Sequence, residues 1–195
     1  MLKRGYHWFV IGFVAALLAG WIVFPAVLYK SAEQPLQFSH KVHSVDAAGL
    51  QCADCHQFRP DGQFGGIPGI AKCAECHAEA IGSSPHERTL VDQYVKKGRE
   101  IPWLVYARQP QNVYFSHDQH VNAGGLKCED CHGPHGTSDT LRPFEVDRVS
   151  GYSRDVWGSS IARFKKASWD GNKMDDCADC HRQRNVANTC MKCHQ

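Results

Sequence analysis

The chain lacks three features on which common protein functions depend. It has no cluster of Lys and Arg, and its 22 basic and 20 acidic residues leave a net charge of +2, which excludes a strongly basic nucleic-acid-binding protein. It has no Ser-His-Asp arrangement, phosphate-binding loop or carboxylate pair that would indicate catalysis by side chains. It also has no cysteine outside one repeated motif. These absences leave cofactor chemistry at the cysteine motif as the expected source of function.

Apolar side chains are scarce in the segment from residue 31 to residue 195. Apart from cysteine, about 52 of its residues are apolar, roughly a third of the segment. The same segment carries 19 basic and 20 acidic residues, so its charge is nearly balanced. So few apolar side chains do not build an ordinary core, and we predict that a bound group fills the interior.

The longest apolar run lies near the N-terminus. From Trp8 to Tyr29, 19 of 22 residues are apolar, and as a helix this run is about 33 Å long, enough to cross a bilayer. Lys3 and Arg4 precede the run, which places the N-terminus in the cytoplasm by the positive-inside rule. A cleaved signal peptide would have a shorter apolar region followed by a small-residue cleavage site, and no good site follows here. The sequence therefore predicts a cytoplasmic N-terminus and an uncleaved transmembrane anchor over residues 1–30.

All ten cysteines belong to the motif Cys-x-x-Cys-His, which occurs five times. Two thiols three residues apart lie on the same side of a helical turn, where they can form thioethers with the two vinyl groups of one haem. The histidine that follows then reaches the iron as the proximal ligand. The thioether-forming residues are Cys52, Cys55, Cys73, Cys76, Cys128, Cys131, Cys177, Cys180, Cys190 and Cys193. The proximal iron ligands are predicted to be His56, His77, His132, His181 and His194.

Two other uses of cysteine fit this pattern poorly. Zinc ribbons pair Cys-x-x-Cys units but do not require a histidine after every second cysteine, and disulfides would not confine ten cysteines to five identical frames. We therefore predict five covalently bound haems c in residues 31–195, on the periplasmic side, because such haems are attached outside the cytoplasm. The expected fold is mostly α and irregular: one N-terminal transmembrane helix and a compact pentahaem domain of short helices and loops with little strand.

An internal repeat supplies candidates for the second axial ligands. Phe-Ser-His-x-x-His precedes Cys-x-Asp-Cys-His twice, so the repeat spans residues 38–56 and 115–132. Two histidines at positions i and i+3 project from one helical face and can ligate two different haems, and Ser39 and Ser116 are good N-caps for such helices. Outside the motifs, and apart from His7 beside the anchor, the predicted distal ligands are His40, His43, His86, His117, His120 and His135.

Six distal candidates are one more than five haems require. Every haem is therefore expected to be ligated by two histidines and to be low spin, which suits electron transfer and leaves no open position for a substrate. The spare histidine leaves open an additional haem bound without cysteines. A thioether from Met174 is a weaker alternative ligand, which would raise the potential of its haem. We expect no catalytic site of the chain's own.

The chain resembles known multihaem cytochromes in two ways. The placement of the His-x-x-His units resembles the class III cytochromes. A longer run, over residues 98–136, is similar to the multihaem cytochrome subunit of alternative complex III and to that of the related menaquinone reductase complex of sulfate-reducing bacteria. The matching residues are Gly98, Ile101-Pro102-Trp103, Val113 to Val121 and Cys128 to Gly133. With the anchor and the five motifs, this resemblance covers most of the chain.

The resemblance implies a subunit of a membrane-bound respiratory quinone oxidoreductase. Its companions would be a molybdopterin-enzyme-like subunit, an iron–sulfur subunit and a polytopic membrane subunit that holds the quinone site. In the menaquinone reductase version, soluble periplasmic cytochromes c give electrons to this subunit, which relays them towards menaquinone. In the alternative complex III version, quinol is oxidised and the flow is reversed. The repeat, which is similar to the class III cytochromes, favours the reductase.

A segment without haem motifs, residues 142–176, is predicted to be the docking surface for these partners. It is rich in Trp and Arg, which are favoured as interface anchors. The residues concerned are Arg154, Trp157, Arg163 and Trp169. The alternative interpretation is a plain loop.

Three other functions compete with the quinone-complex interpretation. A membrane-anchored quinol dehydrogenase of the nitrate- or nitrite-respiration type also has one span and a small multihaem domain, but it places a Met shortly after its first motif, where this chain has Gln57-Phe58-Arg59. A self-contained multihaem enzyme such as a nitrite reductase needs a haem without a distal ligand, and the supply of distal histidines argues against one. The third is a structural or haem-storage protein, which explains paired haems on an anchor poorly.

Overall fold

The computed structural model describes residues 2–106, 109, 111–149, 151 and 174–194. Its α-helices are α1 Leu2–Leu18, α2 Phe24–Leu28, α3 Cys52–Cys55, α4 Ile70–Ala74, α5 Pro85–Thr89, α6 Cys128–His132, α7 Met174–Gln183 and α8 Cys190–Cys193. Four π-helical turns are π1 Ala19–Val23, π2 Val42–Asp46, π3 Leu90–Val95 and π4 Gln119–Ala123, and a 3₁₀ turn spans His135–Thr137. The strands are β1 Tyr29–Ala32 and β2 Phe144–Asp147. The predicted fold class, mostly α and irregular with little strand, is confirmed.

The N-terminal helix continues from α1 through π1 into α2. Within it, Gly5–Val23 is a 19-residue stretch long and apolar enough to cross a membrane, and none of it is buried inside the chain. The helix widens into π1 just before Pro25, because proline has no N–H to give to the carbonyl four residues earlier. An apolar helix without protein cover is what a lipid-facing span requires. The helix ends at Leu28, one residue short of the predicted end of the apolar run.

A small antiparallel sheet ties the end of this helix to a distant part of the chain. β1 pairs with β2 in a register that runs from Tyr29 opposite Asp147 to Ala32 opposite Phe144. The Arg148 N–H donates to the Leu28 carbonyl at 2.9 Å and extends the pairing to the helix end. No residue separates α2 from β1, so the chain passes directly from the helix into the sheet.

The aliphatic core of the described residues is small. Four hydrophobic side chains are buried there: Leu36, Ile70, Val91 and Ile101. Leu36, Ile70 and Ile101 pack together, with Cys73 of the second haem motif partly buried against them. This cluster holds the segment that follows β1 against the second motif. The other motifs have no comparable cluster of buried hydrophobic residues in the part of the chain that the structure describes.

Ile101→Ala is expected to lower the free energy of unfolding by about 2–5 kcal/mol, because it leaves a cavity in this cluster. Ile81 provides a matched control: its side chain is 75% exposed, whereas Ile101 is 9% exposed. Ile81→Ala should change stability by less than about 0.5 kcal/mol. Thermal unfolding of the haem-loaded protein followed by circular dichroism measures both. Equal melting temperatures for the two variants would contradict the importance of this cluster.

Candidate haem centres

The two Phe-Ser-His-x-x-His segments fold in the same way. In each, a helical turn begins at the first histidine and passes into a π-helical turn, π2 or π4. The Ser39 Oγ accepts a hydrogen bond from the Val42 N–H at 3.1 Å, and the Ser116 Oγ accepts one from the Gln119 N–H at 3.3 Å. Both serines therefore act as the predicted N-caps. The repeat in sequence is a repeat in structure.

The second histidine of each segment is held by a backbone carbonyl. The Nδ1 of His43 lies 2.8 Å from the Ser39 carbonyl oxygen, and the Nδ1 of His120 lies 2.7 Å from the Ser116 carbonyl oxygen. Because a carbonyl can only accept, Nδ1 carries the proton and the lone pair of Nε2 is free for a metal. The phenylalanine of each segment stacks on this ring, with centroids 4.4 and 4.5 Å apart. Such contacts fix the tautomer and orientation of a ligating imidazole.

Three pairs of imidazoles combine a motif histidine with a distal candidate at the separation that one iron requires. With metal–nitrogen bonds of about 2.0–2.1 Å, two imidazoles that held one ion between them would have ring centroids roughly 6.3–6.5 Å apart, and the pairs below come within a few tenths of an ångström of this range. The observed pairs are His43 and His77 at 6.0 Å, His120 and His181 at 6.1 Å, and His117 and His132 at 6.3 Å. The spacing fits one iron within each pair.

A fourth pair has the same spacing but contains no motif histidine. The ring centroids of His40 and His135 are 6.3 Å apart. Ser44 joins their segments by donating from Oγ to the Gly136 carbonyl at 2.5 Å. Burial, and then the neighbouring His135, lower the pKa of His40 to about 4, and burial lowers the pKa of His135 as well. Both rings are therefore neutral near pH 7, the state in which imidazole binds a metal.

Three of the predicted ligands have no such ring pair in the part of the chain that the structure describes: His56, His86 and His194. The Nδ1 of His56 lies 2.9 Å from the Gly66 carbonyl oxygen, so this ring is oriented like a ligand. His86 lies exposed on α5. Their roles as ligands stay predictions.

The motifs form short helical turns that bring the histidine beside the first cysteine. The histidine N–H donates to the carbonyl of that cysteine in three motifs: His56 to Cys52 at 2.8 Å, His77 to Cys73 at 2.9 Å and His194 to Cys190 at 2.8 Å. In the first motif, the Asp54 carboxylate accepts from the Gln51 N–H at 2.7 Å, and in the third, Asp130 accepts from the Lys127 N–H at 2.9 Å. The Asp of Cys-x-Asp-Cys-His therefore caps the turn that carries the thiols.

None of the ten cysteines forms a disulfide. Thiols of the first three motifs lie beside one another. The Cys128 thiol of the third motif lies beside the Cys52 thiol of the first, and burial followed by this neighbour raises the pKa of Cys128. Burial, followed by Cys55 of the first motif, raises the pKa of Cys73 in the second. The first motif therefore lies between the second and the third.

The third, fourth and fifth motifs continue this series. Burial, followed by Cys180 of the fourth motif, raises the pKa of Cys131 in the third. Burial, followed by Cys131, raises the pKa of Cys177 in the fourth motif to about 11, and Cys193 of the fifth acts in the same direction. These neighbouring thiols connect the motifs in the series second, first, third, fourth, fifth, which spacing along the chain did not reveal.

One contact beside the second motif was missed by the sequence analysis. The Glu87 carboxylate accepts a hydrogen bond from the Nδ1 of His77 at 3.0 Å. Backbone N–H groups of Ile81 and Gly82 donate to the same carboxylate at 2.9 and 2.8 Å, and these bonds lower its pKa. The sequence contains a signal for this arrangement in Ser84-Pro85-His86-Glu87, where a serine N-cap is followed three residues later by glutamate. This pattern predicts the start of a helix with the carboxylate turned back towards it.

The predicted docking residues Arg154, Trp157, Arg163 and Trp169 lie outside the described residues. Met174, the weaker candidate ligand, is the first residue of α7 and is exposed. The docking surface therefore stays a prediction.

Family models and a curated relative match nearly the whole chain. Residues 22–100 match the class III cytochrome c family, and residues 113–195 match cytochrome c7 and related cytochromes c. A protein of Nitratidesulfovibrio vulgaris (strain Hildenborough), named "Menaquinone reductase, multiheme cytochrome c subunit", is 39% identical over 202 aligned positions that cover 96% of this chain and 89% of the relative. The predicted resemblance is confirmed, and the matched families are cytochromes that bind haem c covalently. The chain belongs to the family of multihaem cytochromes c that provides the cytochrome subunit of menaquinone reductase.

Proposed function

We propose that this chain is the electron-transfer subunit of a menaquinone reductase complex, which relays electrons from soluble periplasmic cytochromes c towards menaquinone. The observation that carries the proposal is the set of three imidazole pairs at single-iron spacing. Two imidazoles on one iron fill its axial positions, so that electrons pass but no substrate is bound. The name of the relative supports the identity of the quinone.

The proposed cofactor content is five covalently bound haems c, one at each motif. When bound, haem c supplies a one-electron redox couple. The side chains of the motifs hold these groups, and the distal histidines fix their orientation. The order of neighbouring thiols supports an electron path from the second motif through the first, third and fourth to the fifth.

The pair formed by His40 and His135 supports one additional haem, ligated by two imidazoles and held without thioethers. Acid–acetone extraction removes such a haem and leaves covalent haems attached. Pyridine haemochrome measures the total number of haems per chain, and intact mass measures the number that is covalently attached. The total is expected to exceed the covalent number by one. His135→Ala should abolish this excess, whereas Thr137→Ala, an exposed position in the same turn, should retain it. Equal total and covalent contents in the unmodified protein would contradict the additional haem.

The proposed location is the cytoplasmic membrane, with the haem domain on the periplasmic side. The support is the uncovered apolar helix over Gly5–Val23 and the basic pair Lys3 and Arg4 on its N-terminal side, which favours a cytoplasmic N-terminus. The proposed partners are a polytopic membrane subunit with the quinone site, an iron–sulfur subunit and a molybdopterin-enzyme-like subunit.

Purification from native membranes in mild detergent, followed by mass spectrometry of the subunits, tests the proposed assembly. Recovery of the three proposed companions is the expected result. Recovery of the chain alone, or with one soluble reductase, would instead support a self-contained anchored quinol dehydrogenase.

The direction of electron flow needs a separate measurement on the purified complex. With a reduced soluble multihaem cytochrome as donor, the complex is expected to reduce a menaquinone analogue. Oxidation of a menaquinol analogue with oxidised cytochrome, without the reverse reaction, would favour the quinol-oxidising direction of alternative complex III.

A further inference from the structure

The Nδ1 proton of His77, the predicted proximal ligand of the second motif, is accepted by a charged group. His77 donates to the carboxylate of Glu87 at 3.0 Å. By contrast, the Nδ1 atoms of His43, His56 and His120 lie within hydrogen-bond distance of neutral backbone carbonyls. A charged acceptor forms a stronger bond than a neutral carbonyl, so His77 is the most basic of these four imidazoles.

Hydrogen bonds from the protein backbone hold the carboxylate of Glu87 in place. The Ile81 N–H donates to its Oε1 at 2.9 Å, and the Gly82 N–H donates to its Oε2 at 2.8 Å. Glu87 follows the serine cap of α5, where Ser84 Oγ accepts from the His86 N–H. The side chain of Glu87 is 12% exposed and that of His77 is 16% exposed, so water competes little for this contact. The carboxylate is therefore preorganised to accept from one imidazole.

Gly82 makes this arrangement possible. A Cβ atom built at position 82 would lie 2.8 Å from Glu87 Oε2, closer than real Cβ contacts allow. Any larger residue at position 82 therefore moves the carboxylate away from the Gly82 N–H and from His77. The local sequence provides the space for the carboxylate as well as the donors that hold it.

We propose that Glu87 is a positioning residue that lowers the reduction potential of the haem at the second motif through His77. This inference rests on the proposed ligation of that haem by His77. A carboxylate that accepts the Nδ1 proton gives the imidazole more anionic character, and an anionic ligand stabilises ferric iron more than ferrous iron. Hydrogen bonding to an axial ligand is one of the ways in which a protein sets a haem potential. Glu87 thereby keeps this haem at a lower potential than a neutral partner would.

Potentiometric titration of the haem-loaded complex, followed by electron paramagnetic resonance, tests the proposal. In Glu87→Gln, the midpoint of one haem is expected to rise and its low-spin signal to shift, while the midpoints and signals of the other haems stay in place. Gly82→Ala should change the same haem in the same direction, and Glu87→Asp, which retains the charge, should recover part of the original midpoint. A purely structural role for Glu87 would not move one haem selectively.

Glu79→Gln is the matched control, because it removes the same charge two residues after His77. Glu79 pairs with Lys96 at 3.1 Å, and its side chain is 77% exposed, so its carboxylate is far more hydrated than that of Glu87. Its removal should leave all midpoints nearly unchanged. Equal shifts in Glu79→Gln and Glu87→Gln, or no shift in Glu87→Gln, would overturn the inference.

A variant without the thiols, Cys73→Ser with Cys76→Ser, separates this inference from the proposed function. The haem signal that moves in Glu87→Gln must be the one that this double variant lacks. If the double variant retains all its haem, ligation at the second motif is wrong. If it loses one haem and Glu87→Gln leaves that haem's midpoint unchanged, only the role of Glu87 is wrong.

Discussion

Replacement of His117 by alanine is expected to convert one haem, that of the third motif, from low spin to high spin. The ring of His117 lies parallel to that of His132, with centroids 6.3 Å apart and planes at 5°. The His117 ring also stacks on Phe64 at 4.2 Å, and this contact holds it in place. Alanine leaves His132 as the sole axial ligand, so the iron acquires an open position. Carbon monoxide should then bind one more ferrous haem per chain than in the unmodified protein.

The control for this experiment lies in the same helical turn. Gln119 is exposed between the two histidines, so Gln119→Ala should leave the spectra unchanged. His120→Ala should also create one high-spin haem, but that of the fourth motif, because His120 faces His181 at 6.1 Å. Low-spin spectra that persist in both histidine variants would show that the ring pairs are not ligand pairs.

Removal of both thiols of the third motif, Cys128→Ser with Cys131→Ser, is expected to have the largest effect on stability. Cys128 contacts the first motif and Cys131 the fourth, so this motif is central in the spatial order. With only four buried hydrophobic side chains among the described residues, bound haem must provide much of the interior. Loss of a central cofactor should therefore lower the free energy of unfolding by more than about 4 kcal/mol. Intact mass and thermal unfolding measure the haem content and the stability.

The fifth motif provides a comparison, because its two thiols can be removed in the same way and it lies at one end of the series of motifs. Cys190→Ser with Cys193→Ser should also remove one haem, but with a smaller loss of stability, because this motif lies at one end of the series of neighbouring thiols. Electron transfer among the remaining haems should continue in the fifth-motif variant and be interrupted in the third-motif variant. Equal effects of the two double variants would contradict the linear order.

The sequence was sufficient to predict those parts of the haem centres that depend on neighbouring residues. The Ser39 and Ser116 caps, and the shared orientation of the histidines three residues apart, follow from helix geometry within six residues. The scarcity of apolar residues likewise predicted the small aliphatic core. In each of these cases, the prediction depends either on residues that are close along the chain or on the amino-acid composition.

The parts that the sequence did not predict depend on contacts between distant segments. His40 and His135 were both predicted as ligands, but their pairing depends on bonds such as that of Ser44 to the Gly136 carbonyl, 92 residues apart. Strand β1 lacks the alternation of apolar and polar residues that identifies a strand, and β2 alternates over four residues only. Both form because they pair with each other. The contact of Glu87 with His77 could not be predicted without the path of the loop that follows the second motif and brings Glu87 back beside His77.

The direct passage from α2 into β1 determines how far the haem domain can move from a membrane. A flexible linker of n residues would let the haem domain move over roughly 5–6 Å × √n. Here the helix ends at Leu28, the strand starts at Tyr29, and β2 pairs with that strand along its whole length. For a chain anchored as proposed, the haem domain therefore stays at a fixed distance from the membrane surface and cannot move away from it to reach a donor. Soluble donors must diffuse to it, so turnover should depend on donor concentration and encounter rate and should change little with membrane fluidity.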